Sequence, residues 1–297
     1  MFFLILAFIQ SRQSFSVKKY AAPTPPAKAK TIFISTLLIV VIIIPLAYFL
    51  NLRPALANYY IIRAVTINKD SPAKMLESFK KSFSYSPANE GELRFILVQH
   101  ARDQINLKGI NQETIPLIQF AAEETKKSIQ VNPSYIQNYL LLAELYLASS
   151  QLNPQHIQSA QDITLKALAI APRRYQVYIM LGRLKMAQKQ FAEGVDYFKQ
   201  AIELNDRFAE AHWNLAIAYI LSWQPELAQQ SLDQAIANRL DIYDQKYINL
   251  LLLAYKDSKN LEATIDFLEN LVQRFPDNQY YQDSLKSLKK IRQEIRE

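Results

Sequence analysis

Apolar residues run without interruption through one segment near the N-terminus of the chain. Residues 32–50 (IFISTLLIVVIIIPLAYFL) form 19 positions without a charge, close to the roughly 20 that a helix needs to cross ~30 Å of hydrocarbon. Pro45 is compatible with such a helix, because interior prolines are tolerated in membrane helices. The pattern therefore predicts a transmembrane helix at residues 32–50, and a buried helix of a soluble protein is the alternative.

The flanks of this segment indicate its orientation. Residues 17–31 carry four Lys, whereas residues 51–65 carry two Arg, and the side richer in Lys and Arg normally stays cytoplasmic. We therefore expect a single pass through the cytoplasmic membrane, with the bulk of the chain extracytoplasmic.

Residues 1–31 form a basic N-terminal segment with a Pro-rich linker. The linker, residues 21–30 (AAPTPPAKAK), is expected to be extended and polyproline-like. Residues 2–9 (FFLILAFI) are apolar but too short to span a membrane, so they are either a peripheral tail or the last turns of a longer membrane helix.

Beyond residue 55 the apolar positions recur with a period of 34 residues. The unit 175–208 has Leu181, Gly182, Phe198 and Ala201 at places seven, eight, twenty-four and twenty-seven, and the next unit has Leu215, Ala216, Leu232 and Ala235 there. Small residues let two helices approach closely, while Leu and Phe fill the space between them. Each unit is therefore predicted to be a pair of helices. Gly194 stands at place twenty, where Ala is usual in such units.

These units resemble the tetratricopeptide repeat, a helix–turn–helix of 34 residues with the pattern W-x₂-L-G-x₂-Y…A-x₃-F…P. Further copies occupy residues 56–89, 90–135, 136–174 and 245–278. Residues 279–297 place Leu285, Leu288 and Ile291 on one face and end polar, as a capping helix does. The predicted fold is all-α: one transmembrane helix, then a tetratricopeptide-repeat solenoid at residues 56–297 with about six repeats and a C-terminal capping helix.

Composition removes several function classes. The chain has no Cys and only four separated Gly, so it contains neither a thiolate nucleophile nor a Gly-rich phosphate loop. The three His, His100, His156 and His212, lack the spacing of a zinc site, and His212 at place four is interpreted as a packing residue. The sequence predicts a non-enzyme with no catalytic, cofactor-binding or metal-binding residues.

The net charge of +7 does not indicate a nucleic-acid partner. Residues 1–55 contain six basic side chains and no acidic one, whereas the other 242 residues carry a net charge of +1. The body of the chain therefore has no excess charge with which to neutralise phosphates.

By resemblance, repeats of this kind bind peptides or helices of other proteins on a concave surface, at places two, five, nine, twelve and thirteen. The candidate groove residues are Leu140, Glu144 and Leu147 in the third unit, Ile179, Arg183 and Met186 in the fourth, and Trp213, Ile217 and Ile220 in the fifth. Trp213 is expected to be an exposed anchor of this apolar groove, the composition of a binding hot spot. Alternatively these residues are core, because adjacent repeats bury part of the same surface.

The run FLNLRPALANYYIIRAV leads from the apolar segment into the first repeat. This layout resembles the C-terminal region of O-antigen ligase or polymerase family proteins, in which a polytopic catalytic domain precedes a repeat tail. Two functions follow: a membrane-anchored scaffold for protein partners in cell-envelope or surface-polysaccharide assembly, or a separated accessory part of such a ligase, with the polytopic subunit as its partner.

Overall fold

The computed structural model describes the backbone of residues 26–85 and 90–296, which is helical and contains no strand within those ranges. The expectations for residues 1–25, including the apolar residues 2–9, lie outside the described residues. The chain divides into two compact units, Met1–Tyr59 and Tyr60–Glu297.

The apolar segment is helical. Helix α1 (Pro26–Ala47) is followed by a π-helical turn (Tyr48–Leu52), helix α2 (Arg53–Ile62) and a second π-helical turn (Arg63–Ile67). The described apolar side chains of α1 are exposed. The helical stretch Thr36–Ile67 has 32 residues and contains a window of mean hydropathy 2.1, so by length and composition alone it could cross a membrane.

This segment differs from expectation at both ends. The helix begins at Pro26, so residues 26–30 are not the extended linker that the prolines predicted, because proline fits the first helical position and the following Ala and Lys favour helix. It also continues beyond residue 50. The π-helical turn precedes Pro54, which has no N–H to donate to the preceding turn.

The remaining helices are joined by short turns. They are α3 (Pro72–Tyr85), α4 (Glu90–Lys108), α5 (Thr114–Val131), α6 (Ile136–Ala148), α7 (Gln155–Ile170), α8 (Tyr175–Ala187), α9 (Phe191–Leu204), α10 (Ala209–Leu221), α11 (Pro225–Ala237), α12 (Gln245–Ser258), α13 (Leu261–Arg274) and α14 (Gln279–Arg296). Successive helices pack as antiparallel pairs, and α4, α6, α8 and α10 also contact the first helix of the neighbouring pair. The expected all-helical solenoid is confirmed.

The pair α8/α9 shows why the repeat needs small residues. A Cβ atom on Gly182 would lie 2.5 Å from Cε1 of Phe198, so only glycine lets the ring, which is 1% exposed, lie across α8. At Gly194 the space that a Cβ would take is occupied by the thioether of Met186, with Sδ at 2.8 Å. Glycine at place twenty is therefore matched to the methionine that packs over it.

In three units, the side chain at place four forms a hydrogen bond that joins the first helix to the turn before it. The hydroxyl of Tyr139 donates to the carbonyl of Pro133, and that of Tyr178 donates to Pro172, each at 2.8 Å. His212 has the same role, since its Nε2 lies 2.8 Å from the carbonyl oxygen of Asp206. The interpretation of His212 as a packing residue is confirmed.

The last helix covers the apolar end of the solenoid. Tyr281 of α14 is buried with Ile248, Leu268 and Leu271, and Leu285 and Leu288 pack against this cluster. Ile291, predicted on the same apolar face, is 44% exposed, because it lies one turn beyond the covered surface. The capping helix is therefore confirmed for its first three turns.

Candidate functional site

A cleft of about 630 Å³ lies along the first helices of five successive pairs: α4, α6, α8, α10 and α12. Its volume is within the roughly 300–1,000 Å³ of ligand-sized pockets. Because the first helices face the cleft while the second helices pack behind them, residues distant in sequence meet there. The cleft combines an ionic cluster with an apolar surface, described in turn below.

The ionic cluster consists of Arg102, Glu144 and Arg183. The guanidinium of Arg102 donates a hydrogen bond to the carboxylate of Glu144. Arg183 is more distant, with its Nη1 3.8 Å from Oε1 of Glu144. Desolvation lowers the pKa of the Arg183 guanidinium, Glu144 opposes this shift, and the charge of Arg102 adds to it. Two cations thus share one carboxylate on α6.

The apolar surface is built mainly by α10 and α12. Trp213 contacts Tyr247 edge-to-face, with ring centroids 4.8 Å apart and planes at 70°. Leu250 and Leu253 project from α12 and are 43% and 52% exposed. Lys246 lies at the margin of this surface, with its Nζ 5.2 Å from the Tyr247 ring centroid. A partner can therefore cover aliphatic surface here, beside the buried Trp213 and the partly buried Tyr247.

Six of the nine expected groove residues line the cleft. They occupy places five and nine of the third, fourth and fifth units: Leu140, Glu144, Ile179, Arg183, Trp213 and Ile217. Places five and nine lie on one side of the first helix, one turn apart, as the resemblance implied.

The three residues at place twelve, by contrast, do not line the cleft. Met186 packs over Gly194, Ile220 is buried in the cluster around α10, and Leu147 packs against the cluster that includes Leu140 and Leu181. Place twelve falls in the last turn of each first helix, where the second helix returns across it. Ile220 is buried and Leu147 and Met186 are partly buried against the core, so the structure does not bring these three residues to the cleft.

Trp213 is in the cleft but is not the exposed anchor that the sequence predicted. Its side chain is 6% exposed and belongs to the core cluster around α10. Tyr247, which comes from the next pair, covers one of its edges. Trp213 therefore forms the floor of the cleft rather than a projecting contact.

Sequence reasoning did not name other residues of the cleft. Gln137, Gln176 and Glu210 stand at place two of their units, so the repeat frame contained the signal for them. Arg102, Lys246, Leu250 and Leu253 come from the second and sixth units, whose match to the frame is the weakest. Within the residues that the structure describes, no group of three or more His, Cys, Asp or Glu side chains could hold a metal ion.

Comparison with known proteins identifies one helix pair. Residues 175–208, which form α8, α9 and the turns around them, match the family model described as tetratricopeptide repeat. The helix pairs on either side continue the same helical solenoid. No curated protein matches the sequence significantly.

Solved structures of similar arrangement are distant in sequence. A thermophilic tetratricopeptide-repeat protein of Thermus thermophilus is 20% identical, with 66% of this chain and 99% of that chain covered and a TM-score of 0.49. MamA of Desulfovibrio magneticus is 16% identical, with 62% and 94% covered and a TM-score of 0.39.

Proposed function

We propose that the chain is a membrane-anchored scaffold that binds a protein partner in the concave cleft, in cell-envelope or surface-polysaccharide assembly. The supporting observation is that the first helices of five pairs present one cleft with exposed aliphatic side chains beside an ionic cluster. Solenoids of stacked helix pairs use such concave surfaces for binding. No residue is assigned to catalysis, and the chain acts by binding.

The anchor in this proposal is the apolar segment at residues 32–50. Its described side chains are exposed, and an uninterrupted apolar helix surface of this length is stabilised by lipid rather than by water. The four Lys that precede it favour a cytoplasmic location for its N-terminal side. The proposed location is the cytoplasmic membrane, with the repeats extracytoplasmic.

A matched pair of leucines tests the binding surface. Leu250 and Leu165 are both 43% exposed, but only Leu250 lines the cleft. In cross-linking of the full chain in native membranes, followed by mass spectrometry, Leu250→Asp should lose the partner adducts formed by the wild type. Leu165→Asp should retain them. If both variants lost the adducts equally, or if neither lost them, binding in the cleft would be contradicted.

A second candidate is an accessory part of an O-antigen ligase-like glycan transfer enzyme. It is favoured by the helical stretch Thr36–Ile67, which passes residue 50 without an intervening loop, in keeping with the layout of a repeat tail that directly follows a membrane helix. Co-expression with the polytopic membrane protein encoded beside this chain is the test. Stable co-purification in detergent, with loss of glycan transfer when this chain is deleted, is expected, and independent purification of the two would reject it.

A further inference from the structure

The ionic cluster of the cleft is not balanced. Glu144 accepts a hydrogen bond from Arg102, whereas the nearest carboxylate oxygen to Arg183 is 3.8 Å away, beyond hydrogen-bond distance. Among the described residues, the Arg183 guanidinium has this ion pair and no hydrogen bond to a side chain or carbonyl. Its side chain is 35% exposed, so it has lost part of its water and has gained only this distant acceptor.

A partly desolvated guanidinium without a hydrogen-bond acceptor gains more interaction free energy from a ligand than the other charged groups of the cleft do. Glu210, Lys246 and Asp257 are exposed and solvated, and Glu144 and Arg102 are already paired with each other. Desolvation lowers the pKa of Arg183, which agrees with the long distance to its nearest carboxylate. A planar fork of N–H donors matches a carboxylate in a bidentate arrangement.

The position of Arg183 selects the source of the carboxylate. It lies on α8, with α4 and α6 on one side of the cleft and α10 and α12 on the other. A segment that lies along the cleft therefore passes Arg183 and presents a side chain to it, rather than ending there. Toward α12 the same segment would meet Ile217, Leu250 and Leu253, which are apolar.

A second observation in the cleft points to a ligand that donates hydrogen bonds. The side-chain oxygen Oε1 of Gln176 is buried without a hydrogen-bond partner, and Gln176 lines the cleft on α8, two turns before Arg183. A buried acceptor of this kind costs free energy unless a donor reaches it. Because this oxygen is shielded from solvent in the observed conformation, a backbone N–H of the segment reaches it only after the Gln176 side chain changes rotamer.

From these contacts we infer that the cleft takes an acidic–apolar peptide segment, with an Asp or Glu side chain on Arg183 and aliphatic or aromatic side chains on Ile217 and Leu250. This inference rests on the proposed function, since it specifies the partner of the same cleft. It excludes a basic segment, which would bring a second cation to a guanidinium that already lies near Arg102.

The test uses the full chain in detergent micelles and a random-peptide library displayed on phage. Enriched peptides should carry Asp or Glu near apolar residues. Arg183→Glu should instead enrich Lys or Arg at that position, and Arg207→Gln, at an exposed arginine outside the cleft, should enrich the same peptides as the wild type. Basic peptides enriched by the wild type would overturn the inference.

A substitution in the peptide keeps the test independent of how well the protein variants fold. Changing the acidic residue of an enriched peptide to its amide should weaken binding to the wild type about tenfold or more, as loss of a hydrogen bond to a charged group does. The same change should have little effect on binding to Arg183→Gln, which completes a double-mutant cycle. An equal effect on both proteins would reject Arg183 as the contact.

The outcomes separate the inference from the proposed function. If no peptide is enriched, or if Leu250→Asp enriches the same peptides as the wild type, the cleft is not a peptide-binding site and both fail. If peptides are enriched and lost with Leu250→Asp but show no acidic preference, binding in the cleft stands and the role of Arg183 is wrong.

Discussion

At the scale of single residues, Gly182 and Phe198 pack tightly against each other. We expect Gly182→Ala to destabilise the protein by about 1–3 kcal/mol, as overpacking does, although alanine is the better helix former by about 1 kcal/mol. The reason is that the new Cβ would meet three ring atoms at 2.5–2.8 Å. Urea unfolding of the full chain in micelles, followed by circular dichroism, measures the change.

Gly194→Ala is the matched control, since it places a Cβ in the same helix pair. Its obstacle is the Met186 thioether, with Sδ at 2.8 Å and Cγ at 3.3 Å, and a methionine can change rotamer to make room. The loss should therefore be clearly smaller than for Gly182→Ala. Equal losses would mean that helix propensity or backbone geometry, rather than the Phe198 ring, sets the cost.

Trp213→Ala should destabilise the protein by about 3–5 kcal/mol, as loss of a buried aromatic side chain does. The tryptophan is 6% exposed and packs against Tyr247, so its removal leaves a cavity beneath the cleft. Trp213→Phe, which retains an aromatic ring, should lose less. If Trp213→Ala had the same urea midpoint of unfolding as the wild type, the Trp213 side chain would not be part of the core.

Ionisation of the buried Tyr255 phenol is expected to destabilise the protein at alkaline pH. Burial, and after it the nearby Asp266 carboxylate, raises the pKa of this phenol from 10.0 to about 12, and its ring stacks on Phe267 with centroids 4.7 Å apart. The fold therefore favours the neutral phenol: this contribution is complete below pH 10 and is lost as the pH rises toward 12. The free energy of unfolding should fall by about 2 kcal/mol across that window.

Tyr255→Phe has no phenol to ionise and is the control for the alkaline transition. Because the chain has 17 tyrosines, the informative quantity is the difference in unfolding free energy between wild type and variant as a function of pH. That difference should change by about 2 kcal/mol between pH 10 and pH 12. A constant difference would show that Tyr255 ionises as readily in the folded state as in the unfolded one.

At the scale of helices, α14 stabilises the end of the solenoid. Tyr281→Ala should open the contact of α14 with Ile248, Leu268 and Leu271. Because each pair in a solenoid contacts only its neighbours, the loss should stay local. Hydrogen exchange should rise in α12 to α14 and remain unchanged in α6 to α9.

Ile291→Ala tests whether any apolar truncation of α14 has this effect. Ile291 is 44% exposed, so its truncation should leave exchange in α12 and α13 near the wild-type level. Two ion pairs also join α14 to α13, Lys289 to Glu269 at 2.8 Å and Arg292 to Glu262 at 3.2 Å. They are exposed and should contribute little, so exchange that followed salt concentration rather than Tyr281 would contradict this account.

The helix pairs were predictable because each needs the same local chemistry. Small residues at place eight and large ones at places seven and twenty-four appear in the sequence as a period of 34 residues, and the α8/α9 pair shows the contact they make. The extent of the first helix was not predictable from hydropathy, because an apolar run ends where charges begin whereas a helix ends only where a residue interrupts it. Arg53 and Pro54 lie beyond the end of the apolar run, but the helical stretch continues through them.

The cleft was predictable only where the frame was regular. The residues at places five and nine of three units line the cleft, because one turn of helix keeps their side chains on one face. The residues at place twelve do not line it, since the return of the second helix depends on tertiary packing that the frame does not contain. The exposed leucines of α12 were missed because the unit at residues 245–278 follows a slip in the frame.

At the scale of the whole molecule, the proposed membrane anchor gives the charges that flank the apolar segment a role in orienting the repeats. The cytoplasmic side is predicted from Lys18, Lys19, Lys28 and Lys30, because Lys and Arg near the end of a span are retained there. Protease added to intact bacterial spheroplasts should therefore degrade the repeats, while a cytoplasmic marker stays protected.

The four lysines themselves provide the sharper experiment. Changing all four to Gln leaves Arg53 and Arg63 as the charged residues nearest the span, so a fraction of the chains should insert with the opposite orientation and become protected from protease. Changing the same four to Arg keeps the charge and should keep the wild-type orientation. Complete protection of the wild-type repeats would reverse the topology, and would place the cleft and its partner in the cytoplasm.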